Sequence, residues 1–502
     1  MERKWWTLIA VCVATFMLLL DITVVNVALP SIQTDLGSSL TDLQWVVDAY
    51  ALSLAALLLT AGALADRYGR RLIFIGGIVV FSLASLLCGL ATSPLFLNLA
   101  RALQGVGGAA MFATSLALIA QEFGGAERGT AFGLWGATIG AAVAIGPLVW
   151  GLLTETLSWE WIFFVNVPIG VLAVAIAATR SGESRDPDAA ALDLAGLMTF
   201  SGALFLLNFA LLRGNPEGWS SGLIVGSLVA SALLFTVFLA VERRHPRPML
   251  DLSLFRKPAF AGVSIGTLAI GAGMFAMFLY ITLYIQNILG YSPLHAGLRF
   301  LPLTVMAFVV SPFVGRYLGR VPARAMLGTG LALVGCGLLL MHGIDVDDEW
   351  TTLLAGFLVA GLGIGISNPS IASTALGVVA PARSGMASGI NNSFRLGGVA
   401  TGIAALGAIF QGHLESRLAE LAPGSGSGLA DAVAVEGTRA VTESDPHAPA
   451  GLVDAAREAF VSSLNEILLV GAAILLVGSL AAFALVRSQD FVPHGPPPPT
   501  VD

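Results

Sequence analysis

The chain has 502 residues, of which 25 are Lys or Arg and 32 are Asp or Glu, a charged fraction of 11% against about 25% in an ordinary soluble domain. With 56% apolar residues, 58 glycines and a mean hydropathy of +0.84, it has too few charges to cover a soluble surface and too much hydrophobicity for disorder. The net charge of −7 argues against nucleic-acid binding, and an all-α polytopic membrane protein is the class that remains.

A bilayer core of about 30 Å takes roughly 20 apolar residues per helix. In chain order such segments lie at 7–29, 45–65, 72–92, 96–120, 130–153, 161–179 and 193–212. They continue at 220–241, 259–288, 296–317, 323–342, 351–374, 384–411 and 460–486, which makes fourteen predicted spans. Pro30, Ser93-Pro94, Gly214-Asn215-Pro216 and Ser292-Pro293 separate neighbouring segments. The first segment follows Arg3 and Lys4 as a signal peptide would, but it runs to Pro30 without a small-residue cleavage site and is predicted to be retained. In the loop 413–459, segments 414–421 and 452–460 read either as short amphipathic helices or as parts of a flexible loop. The tail 487–502, with Pro496 to Pro499, reads as disordered. Cys12, Cys88 and Cys336 sit in apolar stretches and predict buried thiols without disulfides. No metal-ligand spacing, phosphate loop or nucleophile–base pair is present, so no cofactor, metal or enzyme activity is expected.

Most basic residues fall in alternate loops counted from the N-terminus, while Asp345, Asp347, Asp348 and Glu349 fall in the intervening set. This asymmetry predicts that both termini are cytoplasmic. Short signatures also recur. Asp66-Arg67-Tyr68-Gly69-Arg70 after the second span is echoed by Gly315-Arg316-Tyr317-Leu318-Gly319-Arg320 after the tenth. Arg128-Gly129-Thr130-Ala131-Phe132-Gly133 before the fifth is echoed by Arg383-Ser384-Gly385-Met386-Ala387-Ser388-Gly389 before the thirteenth. A repeat in parallel order predicts two six-helix bundles of the same sidedness. They occupy 1–180 and 259–486, the second including loop 413–459; two additional spans with flanking loops fill 181–258, and the tail 487–502 follows. Such a duplication points to a transporter whose halves rock about a central site.

Five segments carry a family likeness: Leu20 to Pro30 in the first span, Gly62 to Arg71 after the second, Arg101 to Gly107 in the fourth, Trp159 to Gly170 at the sixth, and Pro248 to Phe255 ahead of the ninth. Together they resemble the major facilitator superfamily and, within it, the fourteen-span drug:proton antiporters. The fifth span resembles the antiporter motif at Gly136, Gly140, Gly146, Pro147 and Gly151, but Trp150 stands where the family usually has a glycine. That departure leaves "exporter" better supported than "antiporter". The resemblance implies a monomeric, proton-coupled exporter of amphipathic drugs, dyes or antibiotics in a bacterial plasma membrane, with protons and a small molecule as its partners and no cofactor. Two other readings stay open: an exporter of a dedicated metabolite, lipid, peptide or amino acid, and a non-transporting sensor or scaffold that uses loop 413–459.

A charge inside the bilayer is costly and is by default a functional candidate. Asp21, Asp48 and Arg101 all fall at outer-half depths of the first, second and fourth spans. Asp21 is predicted to be the protonatable group, with Arg101 tuning its proton affinity and Asp48 a second acid. The alternatives are a static Asp–Arg tie and an Asp48 wetted at the interface. Arg299 and Arg395 lack an evident acidic partner; Arg299 is expected to snorkel outward and Arg395 to meet carbonyls near Gly397-Gly398. Gly62, Asp66, Arg67, Gly69 and Arg70 are predicted to latch one face, the glycines permitting close approach and a sharp turn. Asp66 would accept from helix amides or pair with Arg70; the alternative is a loop that only sets topology. Candidates for the substrate cavity are the polar or aromatic residues Asn26, Gln104, Asn208, Tyr280, Tyr284, Gln286, Asn391 and Asn392. Tyr280 and Tyr284 share a helix face and, with Met274, Phe275 and Met277, would form an adaptable wall.

Overall fold

The computed structural model describes residues 2–38, 40–156, 158–185, 193–244, 250–422, 427–438, 441 and 450–492. Their regular elements are helical, apart from one isolated bridge between Leu318 and Val321. The chain opens with α1 (Arg3–Leu36), α2 (Leu40–Tyr68), α3 (Arg70–Gly89), α4 (Pro94–Glu122) and α5 (Gly125–Thr156). Short α6 (Trp161–Phe164) leads into α7 (Asn166–Arg180). Then come α8 (Leu194–Glu217), α9 (Gly222–Arg244) and a 3-10 turn at Leu252–Arg256. Next, α10 (Pro258–Ile270) and α11 (Met277–Leu283) make one span interrupted by π-helical turns at Gly271–Phe275 and Tyr284–Ile288. The remainder is α12 (Pro293–Arg299), α13 (Leu301–Tyr317), α14 (Ala323–Met341), α15 (Leu354–Gly377), α16 (Ser384–Leu421), α17 (Ser427–Glu436) and α18 (Ala450–Leu485).

Among the described residues, twelve helical segments are long and apolar enough to cross a membrane, and Leu301–Tyr317 is a shorter apolar helix. Local chemistry explains several boundaries. Gly37 closes α1 in the left-handed region at φ 59°. Ser93 caps α4 by accepting from the Phe96 amide, with Pro94 at the first helical position, and Ser292-Pro293 opens α12 in the same way.

Other boundaries depart from the sequence expectation. Segments 414–421 and 452–460 are not separate helices: they continue α16 and α18, because extending a nucleated helix costs less than starting a new one. α17 was not anticipated. α8 runs through Gly214-Asn215 to Glu217, so Arg213 belongs to a helix and not to a loop. Phe300 separates α12 from α13 inside the expected single span. Cys88 is buried, whereas Cys336 is exposed, since an apolar helix can turn a thiol outward as readily as inward.

α2 packs on α4, α3 on α4, α14 on α15 and α18, and α8 on α9. Contact between the parts of the chain before residue 180 and after residue 258 runs chiefly along α5 with α13 and α2 with α16, while α8 touches both α2 and α16. Glycine makes these crossings close. A Cβ at Gly62 would strike the Gly385 carbonyl, and Gly129 and Gly315 stand backbone to backbone in the same manner. Gly133 faces Ser311, and Gly136 and Gly140 continue the small stripe of α5 against α13. The repeated signatures therefore pair crosswise: each half's post-second-span element meets the other half's pre-fifth-span element.

Gly315→Val forces a branched side chain into the Gly129 backbone. It is expected to cost about 1–3 kcal/mol, read as a lower unfolding midpoint in detergent. Gly397→Ala, which meets open space on α16, should leave that midpoint unchanged or raise it.

Candidate functional site

Asp21 sits in a polar junction built by α1, α2, α3, α4 and the α6–α7 segment. Arg101 Nη1 donates to Asp21 Oδ2 at 2.5 Å, and the two side chains are 1% and 2% exposed. The second carboxylate oxygen accepts from Gln104 Nε2 at 2.9 Å and from Asn166 Nδ2 at 3.4 Å. Ser85 Oγ accepts from both amides and donates to the Phe163 carbonyl. Arg101 is held independently of Asp21. Its Nε donates to the Val46 carbonyl at 3.0 Å, Nη1 also reaches Gln104 Oε1 at 2.7 Å, and its Cζ lies 4.3 Å from the Tyr50 ring centre. The base is thus anchored by contacts that do not involve the acid.

This geometry moves Gln104 from the expected substrate cavity to the Asp21 junction. Its depth on α4, one turn after Arg101, puts it against the ion pair. Asn166, Ser85 and Tyr50 were not singled out from sequence. Asn166 carried a usable signal, as a polar residue of the motif Val165-Asn166-Val167-Pro168 next to an apolar run.

Asp48 is not a partner of Arg101. It lies 3.8 Å from Arg213 of α8, which also donates to Gln44 and pairs with Glu217. Three acceptors around one guanidinium explain why Arg213 is 5% exposed and not in a loop.

A second cluster lies among the basic loops. Asp66, 8% exposed, accepts from Arg70 Nε and Nη2 at 3.0 and 2.9 Å. It also accepts from the Gly385 and Met386 amides, at 2.9 and 2.8 Å, in the first turn of α16. A carboxylate there meets unpaired N–H groups and the positive end of the helix dipole. Arg70 Nη2 reaches across to the carbonyls of Pro381 and Ala382. Gly69, at φ +123°, supplies a turn that other residues adopt with strain, and Glu183 caps the Arg71 and Leu72 amides that follow. Arg67 takes no part in the latch: it stacks on Tyr68, and its Nη1 has no partner.

Nearby, Arg383 pairs with Asp251 at 2.8 Å, fastening the segment after α9 to the start of α16. Partial burial opposes the charge on Asp251, but hydrogen bonds from the Ser253 hydroxyl and amide, with Arg383, outweigh it and hold the carboxyl below its ordinary value. That contribution to stability is present above the ordinary carboxylate range and is lost as pH falls through it.

The remaining candidates divide. Tyr280 donates to the Ile403 carbonyl and packs on Phe410, while Tyr284 is 1% exposed with no partner for its hydroxyl. Both are enclosed by helices and do not form one open wall. Asn208 bonds within its own helix to Leu204. Asn391 accepts from Thr267, and Asn392 donates to the Phe112 carbonyl of α4 across the two halves. Arg395 is not bonded to carbonyls near Gly397-Gly398; it donates across to Asn368 Oδ1 of α15 at 3.1 Å. Arg299 stacks on Tyr291 and bonds the His295 carbonyl. The side chains of Asn26, Pro147 and Trp150, with Gly146, lie outside the described residues. A cleft of about 620 Å³, lined by Phe200, Phe235, Phe238, Phe255 and Phe394 with Arg243 and Arg256, lies among α2, α8, α9, the 3-10 turn and α16. Nothing in the sequence pattern marked it, because its rings come from four separate elements.

Residues 11–405 match the family model described as Major Facilitator Superfamily. The puromycin resistance protein pur8 of Streptomyces alboniger is 39% identical, with 87% of this chain and 86% of that protein covered. The multidrug resistance protein Stp of Mycobacterium tuberculosis is 35% identical, with 95% and 91% covered. Among solved structures, the proton:xylose symporter XylE superposes with a TM-score of 0.63 over 96% of both chains at 12% identity, a likeness of fold alone. With its all-helical build and crosswise paired repeats, this multi-pass membrane chain belongs to the Major Facilitator Superfamily.

Proposed function

We propose that this chain is a proton-coupled exporter of amphipathic small molecules such as drugs, dyes or antibiotics, working by alternating access as a monomer in a bacterial plasma membrane. The observation that carries the coupling is the Asp21–Arg101 pair, sealed in a five-element junction. Relatives named for puromycin and multidrug resistance support the cargo class. The basic face is cytoplasmic in this reading, with both termini on it. The chain forms fourteen spans: two six-helix units, 1–180 and 259–486, and two additional helices in 181–258. The aromatic cleft beside α8 and α9 suits lipophilic cargo arriving from the cytoplasmic leaflet.

The Asp66–Arg70–α16 contacts hold the cytoplasmic face closed in this conformation. Protonation of Asp21 from outside removes the charge that balances Arg101 and favours rearrangement toward the inward-open form. Magnitudes permit this. Separating a buried pair costs about 3–5 kcal/mol. One proton yields about 2.3 kcal/mol per 100 mV and about 1.4 kcal/mol per pH unit, so a single proton under an ordinary gradient is of the right size.

Two experiments test the reading. In everted vesicles energised by respiration, an exported compound should dissipate the pH gradient, and Asp21→Asn should lower that response by about tenfold or more with the protein still folded. An undiminished response sinks the coupling role of Asp21. In a cysteine-free background, Asp66→Asn should speed maleimide labelling of Met386→Cys, now 4% exposed, by about tenfold, the equivalent of 1.4 kcal/mol. Unchanged labelling would mean that the carboxylate does not hold the face shut.

A further inference from the structure

We infer that Arg395, Asn368 and Asn391 form a subsite for an acidic group, a carboxylate or sulfonate, on the exported compound; this rests on the transport reading above. Arg395 is 4% exposed, and its single hydrogen bond among the described residues runs from Nη1 to Asn368. Nε and Nη2, which form one edge of the guanidinium fork, have no partner. The amide nitrogens of Asn368 and Asn391, residues that are 0% and 3% exposed, are likewise unpartnered. Asn391 precedes Arg395 by one turn of α16 and so shares its face. The ring of Phe275 lies 5.9 Å from the guanidinium carbon.

The other deeply buried arginines each have an acid: Arg70 has Asp66, Arg101 has Asp21 and Arg213 has Asp48. No described carboxylate pairs with Arg395. An unbalanced buried guanidinium is expensive, as are unpaired N–H donors, and a set made only of donors selects an acceptor. A free Nε–Nη2 edge matches the two oxygens of a carboxylate. The place is also right. Asn368 faces Gly136 of α5, and Asn392 bonds the Phe112 carbonyl of α4, so the cluster lies where the two halves of the chain meet.

The test uses the purified full-length chain with two fluorescent probes, the acidic carboxyfluorescein and the cationic ethidium, in polarisation binding and in vesicle transport. Wild type should bind carboxyfluorescein, Arg395→Gln should weaken it by about tenfold or more, and ethidium should change by less than about twofold. Arg395→Lys, which keeps the charge without the fork, should fall between. Removing an unbalanced buried charge should also leave the unfolding midpoint of Arg395→Gln at or above that of wild type. Absent carboxyfluorescein binding, equal binding to wild type and Arg395→Gln, or parallel loss of both probes would overturn the subsite. If carboxyfluorescein binds as expected but vesicles move neither probe, the transport reading falls and the acid-binding site stands.

Discussion

An ionised group inside a bilayer needs a counter-charge, and the first half of this protein is arranged around one such pair. Arg101 is fixed from three directions, by the Val46 carbonyl, the Tyr50 ring and Gln104, so its position does not depend on Asp21. Among the described residues, the Asp21 carboxylate is held by side chains of α4 and α7. Ser85 then holds two of those donors, Gln104 and Asn166, in register by accepting from both. Neutralising the acid would weaken the tie between α1 and the rest of the junction while leaving the base in place. The same helix begins at the basic face, where Lys4 pairs with Glu127 of α5 and Arg3 reaches the Arg180 carbonyl.

A rigid element joins this junction to the latch. α2 contributes Val46 and Tyr50 at one end and Asp66 at the other. Those twenty residues span about 30 Å at 1.5 Å per residue. A tilt that frees Val46 from Arg101 would draw Asp66 away from the first turn of α16, where two amides and Arg70 converge on it. The Gly62–Gly385 crossing lies between these points and leaves no side chain to cushion such a motion. If the proposed transport cycle moves α2 as one body, mechanical continuity of this sort would give the two distant sites a shared element, the physical requirement for coupling.

The sequence made the class, the helical build and the pairing of Asp66 with Arg70 legible, for reasons local to the chain. Charge scarcity, apolar runs and Ser-Pro or Gly boundaries act within a few residues of where they are read. Asp66 and Arg70 are i, i+4, so their pairing follows from helix geometry. The amides of Gly385 and Met386 lie more than three hundred residues away, and only the fold shows which helix end would meet Asp66. The same limit explains Gln104 and Arg213. For Gln104 hydrophobicity gave the depth, but the angle at which it faces its neighbours comes from packing. For Arg213 a Gly-Asn signal suggested a break, yet burial of its guanidinium against Gln44, Asp48 and Glu217 carries the helix on to Glu217. Tyr280 and Tyr284 are joined by regular α-helix, so their spacing was readable, but the neighbours that enclose each ring come from packing.

The two halves share a pattern of backbone crossings but not of charge. Where the first half has Asp66 gripping α16, the matching position of the second is Gly315, which meets Gly129 through backbone alone. Where the first half balances Arg101 with Asp21, the second holds Arg395 with no described acid. Symmetric crossings let both seams close together. On the proposed reading, the unequal charges would give each half a different ligand preference: a proton for the carboxylate of the first, an acceptor for the open guanidinium of the second. A rocking pair with identical sites would treat proton and cargo alike. In the proposed mechanism, dividing the charges between halves would allow one ligand to be exchanged for another across the membrane.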